Sequence, residues 1–250
     1  MPAAFVLGAA ASVGLVASVH GAGMASATCL AAGNTSFGSG CSASGPLSTA
    51  VALGPHATAT ANGFNNHAMA MGVSASATAF GGSSNTAMAI GNPDVNEFVE
   101  GRTPTTAEAG ITDNQGRTVS NFNTAIAIGN GDIARATNGQ SQSARVIGNG
   151  GFASTEQGIG NVSHIVGNDD LTEVRGGNFN SSRVRGNRSE AGTEPGDNNS
   201  TSVVGNHSFA FTYAGNNNRA SVDGNNSEAE AGPGNNKHAR AVGNGVHRHS

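Results

Sequence analysis

Tryptophan is absent from this 250-residue chain, tyrosine occurs once, at Tyr213, and aromatic residues together make up only 4%. A core of large side chains is therefore excluded. The chain is either disordered or packed thinly with small residues. Charge is scarce as well, at 11% of residues, and that argues against ordinary disorder, which carries many charges. The net charge of −4 is small and spread out, so nothing resembles a basic nucleic-acid footprint. Thiols are limited to Cys29 and Cys41, a pair without partner ligands for a zinc site. No phosphate-binding loop, nucleophile elbow or paired-cysteine zinc motif occurs.

What the chain has instead is glycine, 38 residues of it, set among Ala, Ser, Thr and Asn. The N-terminal segment, 1–27, differs from the rest. Ala3 to Val19 is an apolar run of small residues without charge, and it leads to Ala25-Ser26-Ala27, a small-x-small cleavage pattern. Residues 1–27 read as a secretory signal peptide, with no membrane attachment after cleavage. No Lys or Arg precedes the run, so an uncleaved anchor is the alternative. In the oxidising compartment this implies, Cys29 and Cys41 pair most simply as a disulfide, within an N-terminal cap over 28–47. Two free thiols are the other reading.

Self-similarity dominates the remainder. Steps of 19 from Gly72 land on Gly91, Gly110, Gly129, Gly148, Gly167, Gly186, Gly205, Gly224 and Gly243. Steps of 19 from Gly63 land on glycine eight times out of nine to Gly234, Ser120 being the exception. Asn follows most glycines of the first ladder. Gly and Asn both tolerate positive φ, so each Gly-Asn is expected to be a turn and each arm between turns a short strand. Alternation names the faces. Val146 and Ala144, Ile165 and Ser163, Val184 and Ser182 stand two and four residues before a glycine and face inward. In the second arm the inward pairs include Ala134 with Ala136, Thr172 with Val174, and Ala210 with Thr212. Arg145, His164, Arg183, Arg185, Asp223 and Arg240 interleave and face outward. The expected fold is all-β, a parallel β-roll or β-solenoid over 48–244 with a 19-residue coil and a small-residue core. Nine or ten coils make a rod of roughly 45 Å. Residues 245–250 are expected to be a flexible tail.

Two features break the regularity. Between 92 and 123 the pattern weakens, with Pro93 and Pro104, a Glu108 on an inward position, and Glu97, Glu100, Arg102, Asp113 and Arg117 close together. Either the coils are distorted there or a loop protrudes, a common place for binding. Met69, Met71, Met88, Ile90, Ile126 and Ile128 fall on outward positions, an apolar strip that suggests self-association. The same segment of 92–123 covering the strip is the alternative.

Asn66-His67-Ala68-Met69-Ala70-Met71-Gly72, Asn85-Thr86-Ala87-Met88-Ala89-Ile90-Gly91 and Asn123-Thr124-Ala125-Ile126-Ala127-Ile128-Gly129 resemble the head repeats of trimeric autotransporter adhesins. That resemblance, over residues 48–129, implies a parallel β-roll, a trimer or other homo-oligomer, and adhesion to a cell surface or matrix. The chain has no heptad stalk and no C-terminal barrel segment of that family, and as a whole it also resembles small secreted proteins of actinobacteria. The expected function is a secreted or cell-surface structural, adhesin-like protein, not an enzyme, with no cofactor. An ice- or carbohydrate-binding module and a β-helix enzyme acting on polysaccharides are the alternatives. Calcium-binding rolls repeat a G-G-x-G-x-D turn. Here Gly131-Asp132 and Asn168-Asp169-Asp170 stand isolated, and the eight histidines form no ligand set.

Overall fold

Small residues at period two leave the backbone one economical arrangement, strands stacked rung over rung with their Cβ atoms pointing into a thin interior. The computed structural model describes residues 28–92, 104–110 and 120–250. The signal-peptide reading of 1–27, and Glu97, Glu100, Arg102, Asp113 and Arg117, lie outside the described residues. The structure is an all-β solenoid of parallel strands, with about ten turns. Twenty-three strands, β1 to β23 in chain order, form a 12-stranded and an 11-stranded sheet among the described residues. From β4 (Thr49–Leu53) to β22 (His238–Val242) the even strands build the first sheet, and the odd strands from β3 (Cys41–Ser44) to β23 (His247–His249) the second.

The named interior positions are buried. Ala144, Val146, Ser163, Ile165 and Ser182 of the 12-stranded sheet, and Ala134, Ala136, Thr172, Val174 and Ala210 of the other, are fully enclosed. Some hydroxyls that enter this interior find partners, Ser182 Oγ donating to Ala191 O at 2.7 Å and Thr201 Oγ1 to Ser182 Oγ at 3.0 Å, whereas those of Thr193 and Thr212 have none. Ser163 and Thr172 hydroxyls bond across the core. Each rung also bonds its backbone to the next, as where Val162 N donates to Asn180 O at 2.9 Å.

Cys29 and Cys41 are joined, and their position explains the N-terminal cap. β1 (Thr28–Ala32) runs antiparallel to β4 and to β2 (Thr35–Phe37), closing the end of the 12-stranded sheet. Cys29 points inward from β1, and Cys41 opens β3 in the opposite sheet. The bond therefore clips the two sheets together at the first rung.

The first coils step by 18 residues rather than 19, with Thr49 opposite His67 and Thr58 opposite Ser76. The structure departs from the expected register in three further places. First, Gly91 does not lie below Gly110. It lies below Gly129, so close that a Cβ on Gly91 would meet Gly129 O at 1.5 Å. β8 (Thr86–Ile90) pairs directly with β10 (Thr124–Asn130), Thr86 opposite Thr124, a step of two repeat lengths instead of one. Between them β9 (Thr106–Ala109) pairs Thr106 with Ser76 on one side and with Ile133 on the other. Both of these steps are longer than one repeat, and their two excesses add up to one further repeat length. A single strand of this sheet, β9, thus stands between the regular coils, and the additional residues fall in 93–103 and 111–119, outside the described residues. Ala107 and Ala109 take its inward positions, and Glu108 faces outward. Second, in the middle coils the reversal falls past the Gly-Asn step, whereas the strands β18 (Ser200–Val204), β20 (Arg219–Asp223) and β22 end before it. β14 (Val162–Asn168) runs through Gly167-Asn168, and the left-handed φ of 54° falls on Asp169, just past that step. Third, residues 247–249, expected in a flexible tail, form β23 and pair with β21 (Glu228–Ala231).

Candidate interaction faces

The turns carry ladders that glycine spacing alone did not point to. Asn66, Asn85, Asn123, Gln142, Asn161, Asn180, Asn199 and Asn218 line one inner corner and are at most 1% exposed. Asn180 shows the pattern. Its Nδ2 donates to Gly176 O at 2.9 Å and Gly196 O at 2.6 Å, while its Oδ1 accepts from Asn199 N at 2.8 Å. One amide therefore satisfies a turn of its own coil and two groups of the next, which is what a stacked ladder requires. These asparagines recur at 19, three positions past the second glycine ladder, so their signal was present in the sequence. Three Asn-x-Ser/Thr sequons, Asn161-Val162-Ser163, Asn180-Ser181-Ser182 and Asn199-Ser200-Thr201, have their asparagines on this buried ladder.

At the opposite corner the same place is held by Asp132, Asp170, Ser189, Ser208 and Ser227. Asp132 and Asp170, isolated in the sequence, are two rungs apart at one ladder position. Each Oδ1 accepts a backbone N–H from the next coil, Gly151 at 2.9 Å and Ser189 at 2.8 Å. Neither Oδ2 has a hydrogen-bond partner. Burial pushes Asp132 up to about 6 and Asp170 up to about 7, the latter helped by Asp169.

The outer face of the 12-stranded sheet brings together the apolar residues of the predicted strip. Met69 pairs with Met88 and Met71 with Ile90 in adjacent strands, then Met88 with Ile126 and Ile90 with Ile128. All six are half-buried, in two parallel columns. Val51 and Leu53 extend the columns at one end, and Ile147 continues one of them at the other. Val166 continues that column one rung farther, and from Arg145, beside Ile147, the face turns basic, with Arg145, Arg183, Arg185, Arg219 and Arg240 exposed and Asp223 their acidic neighbour. His164 sits among them. Burial, then Arg145, Arg183 and Arg185, pushes its imidazole below the usual range.

The acids, dispersed along the sequence, do not stay dispersed. The fold gathers Glu108, Glu156, Glu173, Glu190, Glu194, Glu228 and Glu230 on the outer face of the 11-stranded sheet, because every one falls on an outward position. Burial, with Glu173 beside it, raises the carboxyl of Glu190. Arg135 and Arg175 neutralise part of this face, Arg135 beside Glu108 at 3.0 Å and Arg175 beside Glu173 at 2.7 Å. A shallow depression lies on the opposite, basic face, lined by Ser202, Arg219, Ser221, Asp223, His238 and Arg240. Among the described residues no helix is long and apolar enough to cross a membrane. The chain matches no protein family, no curated protein and no solved structure.

Proposed function

We propose that this protein is a structural, adhesin-like rod of the secreted or cell-surface space, without enzymatic activity, that works by laying its outer face against copies of itself. One observation carries the reading: Met69, Met71, Met88, Ile90, Ile126 and Ile128 form two continuous apolar columns on the outside of a sheet whose own core is elsewhere. A strip of that kind on a rigid scaffold is what an interface between subunits offers. A trimer or other homo-oligomer fits it, and the arginines farther along the same face suit an acidic cell-surface or matrix ligand. The Cys29–Cys41 bond agrees with an oxidising, extracellular setting.

The alternatives have less behind them. An ice- or carbohydrate-binding face wants a long regular rank of hydroxyls. Thr58, Ser76 and Thr106 make one over three coils of the 11-stranded sheet, and Ile133 and Phe152 then end it. For a polysaccharide-active enzyme the acids do share a face, but Arg175 engages both Glu173 and Glu194 there. Sedimentation velocity of the whole chain tests the rod reading. An oligomer that the M88E/I126E double variant converts to monomer is expected. A wild-type chain that stays monomeric at every concentration tried would refute self-association.

A further inference from the structure

The acidic face of the 11-stranded sheet ends, at the last rung, in a cluster that the proposed function does not use. Strands β21 and β23 are paired in register, Glu228 opposite His247 and Glu230 opposite His249. Residues two apart on a strand share a face, so all four side chains project outward from the same corner of the 11-stranded sheet. His247 Nδ1 lies 2.9 Å from Glu228 Oε2, and His249 Nδ1 lies 2.8 Å from Glu230 Oε2. Donor atoms of Glu228, Glu230 and His249 all fall within 4.8 Å of one another.

We propose that Glu228, Glu230, His247 and His249 form a binding site for a divalent transition-metal ion of the Zn²⁺ type, which clips the terminal rung to the solenoid. Imidazole nitrogens with carboxylate oxygens are the donor set such ions select, whereas Ca²⁺ and Mg²⁺ prefer oxygen alone. Metal–ligand bonds of about 2.0–2.2 Å in a tetrahedron set donors roughly 3.3–3.5 Å apart. Glu228, Glu230 and His249 already hold donor atoms within 4.8 Å of one another, and His247, which lies outside that group, supplies the fourth donor from its 2.9 Å contact with Glu228. Ordinary His–Glu pairing would take one carboxylate per histidine and leave the pairs independent. Here Glu230 accepts from Tyr213 Oη at 2.8 Å and pairs with His249, and a donor atom of Glu228 lies within 4.8 Å of both, which links the two pairs. Tyr213 bonded to a ligating carboxylate is the outer support such sites use.

The position gives the ion a structural task. β23 is an edge strand of three residues with one neighbour, β21, and an exposed edge strand is the place where a solenoid must protect itself. A metal bridging β21 and β23 would tie the last strand of the 11-stranded sheet to its neighbour, while Cys29–Cys41 ties the two sheets together at the other end.

Titration of the metal-free full chain with ZnSO₄ by calorimetry tests the site. Saturable binding of one ion per chain is expected, weakened at least tenfold both in H247A/H249A and in E228Q/E230Q, and unchanged in H207A, an exposed histidine elsewhere. Amide exchange of residues 246–250 should slow at least tenfold with Zn²⁺ in the wild type only. Absence of saturable binding, or binding that either double variant leaves intact, would overturn the proposal. E228Q/E230Q keeps the shape of the strand, so a loss there reads as ligand loss rather than unfolding.

Discussion

Asp170→Asn should stabilise this protein at pH 8, and the structure gives the size. At the same corner Ser189 Oγ donates to Gly205 O at 3.0 Å, Ser208 Oγ to Gly224 O at 2.9 Å, and Ser227 Oγ to Gly243 O at 2.7 Å. Each bond reaches the coil above. The matching carbonyl for Asp170 is Gly186 O. That oxygen and Asp170 Oδ2 lie 1.6 and 2.2 Å from the point a Cβ on Gly167 would occupy, so they face each other. A carboxylate cannot donate there. A carboxylic acid can, and so can the Nδ2 of asparagine. Burial, opposed by the hydrogen bond from Ser189 and aided by Asp169, raises the carboxyl from 3.8 to about 7.

The sign follows from linkage. Below 3.8 the acid is neutral in both folded and unfolded chains, and its contribution to stability is full. Between 3.8 and about 7 the unfolded chain loses the proton first, so stability falls as pH rises, and above about 7 the loss is complete. At roughly 1.4 kcal/mol per pH unit this span amounts to about 4 kcal/mol, and water near the turn screens part of it. Asp170→Asn should therefore gain roughly 2–4 kcal/mol over wild type at pH 8, a rise in Tm of roughly 4–15 °C. At pH 4 the two proteins should differ by less than about 1 kcal/mol. Circular dichroism melts and guanidinium titrations at pH 4, 6 and 8 measure both. A difference independent of pH, or a wild type more stable than the variant at pH 8, would refute the account of the turn.

Three further outcomes are expected. Asn180→Ala leaves Gly176 O, Gly196 O and Asn199 N without their amide partner, and should cost about 3–5 kcal/mol in a denaturant titration; a loss under about 1 kcal/mol would mean water replaces the ladder. Gly148→Ala places a Cβ 1.5 Å from Gly167 O, on a backbone that cannot yield without breaking the rung, so the variant should unfold at least locally and lose amide protection around 148–167. Reduction of Cys29–Cys41 opens a short loop, sequence separation 12, worth about 3 kcal/mol. Proteolysis after reduction should begin in residues 28–47 and leave the later rungs intact, as expected of a solenoid whose coils depend on their neighbours.

Sequence periodicity was enough to name the interior. Val146, Ile165 and Val174 are inward because small and β-branched residues alternate with polar ones, and that is a local property of a strand. The apolar columns through Met69, Met88 and Ile126 were legible for the same reason. The Asn180 ladder repeats just as regularly, but an asparagine at a turn looks polar and exposed until the next coil covers it. Glu228, Glu230, His247 and His249 stand one repeat apart in pairs, yet only β23 pairing with β21 makes them neighbours.

By itself the sequence determined the 19-residue coil, the inward positions and the two faces of each strand. Tertiary structure alone decided which coil sits on which. The segment 92–128 holds an excess equal to one repeat, so the glycines at 91, 110 and 129 stay in phase whether the segment is two coils or one coil with additional residues. Phase carries no information about that choice. It is settled by contact: Gly91 lies against Gly129 O, Ala107 and Ala109 fill the interior, and Glu108 turns outward to Arg135, which spares it burial without a partner.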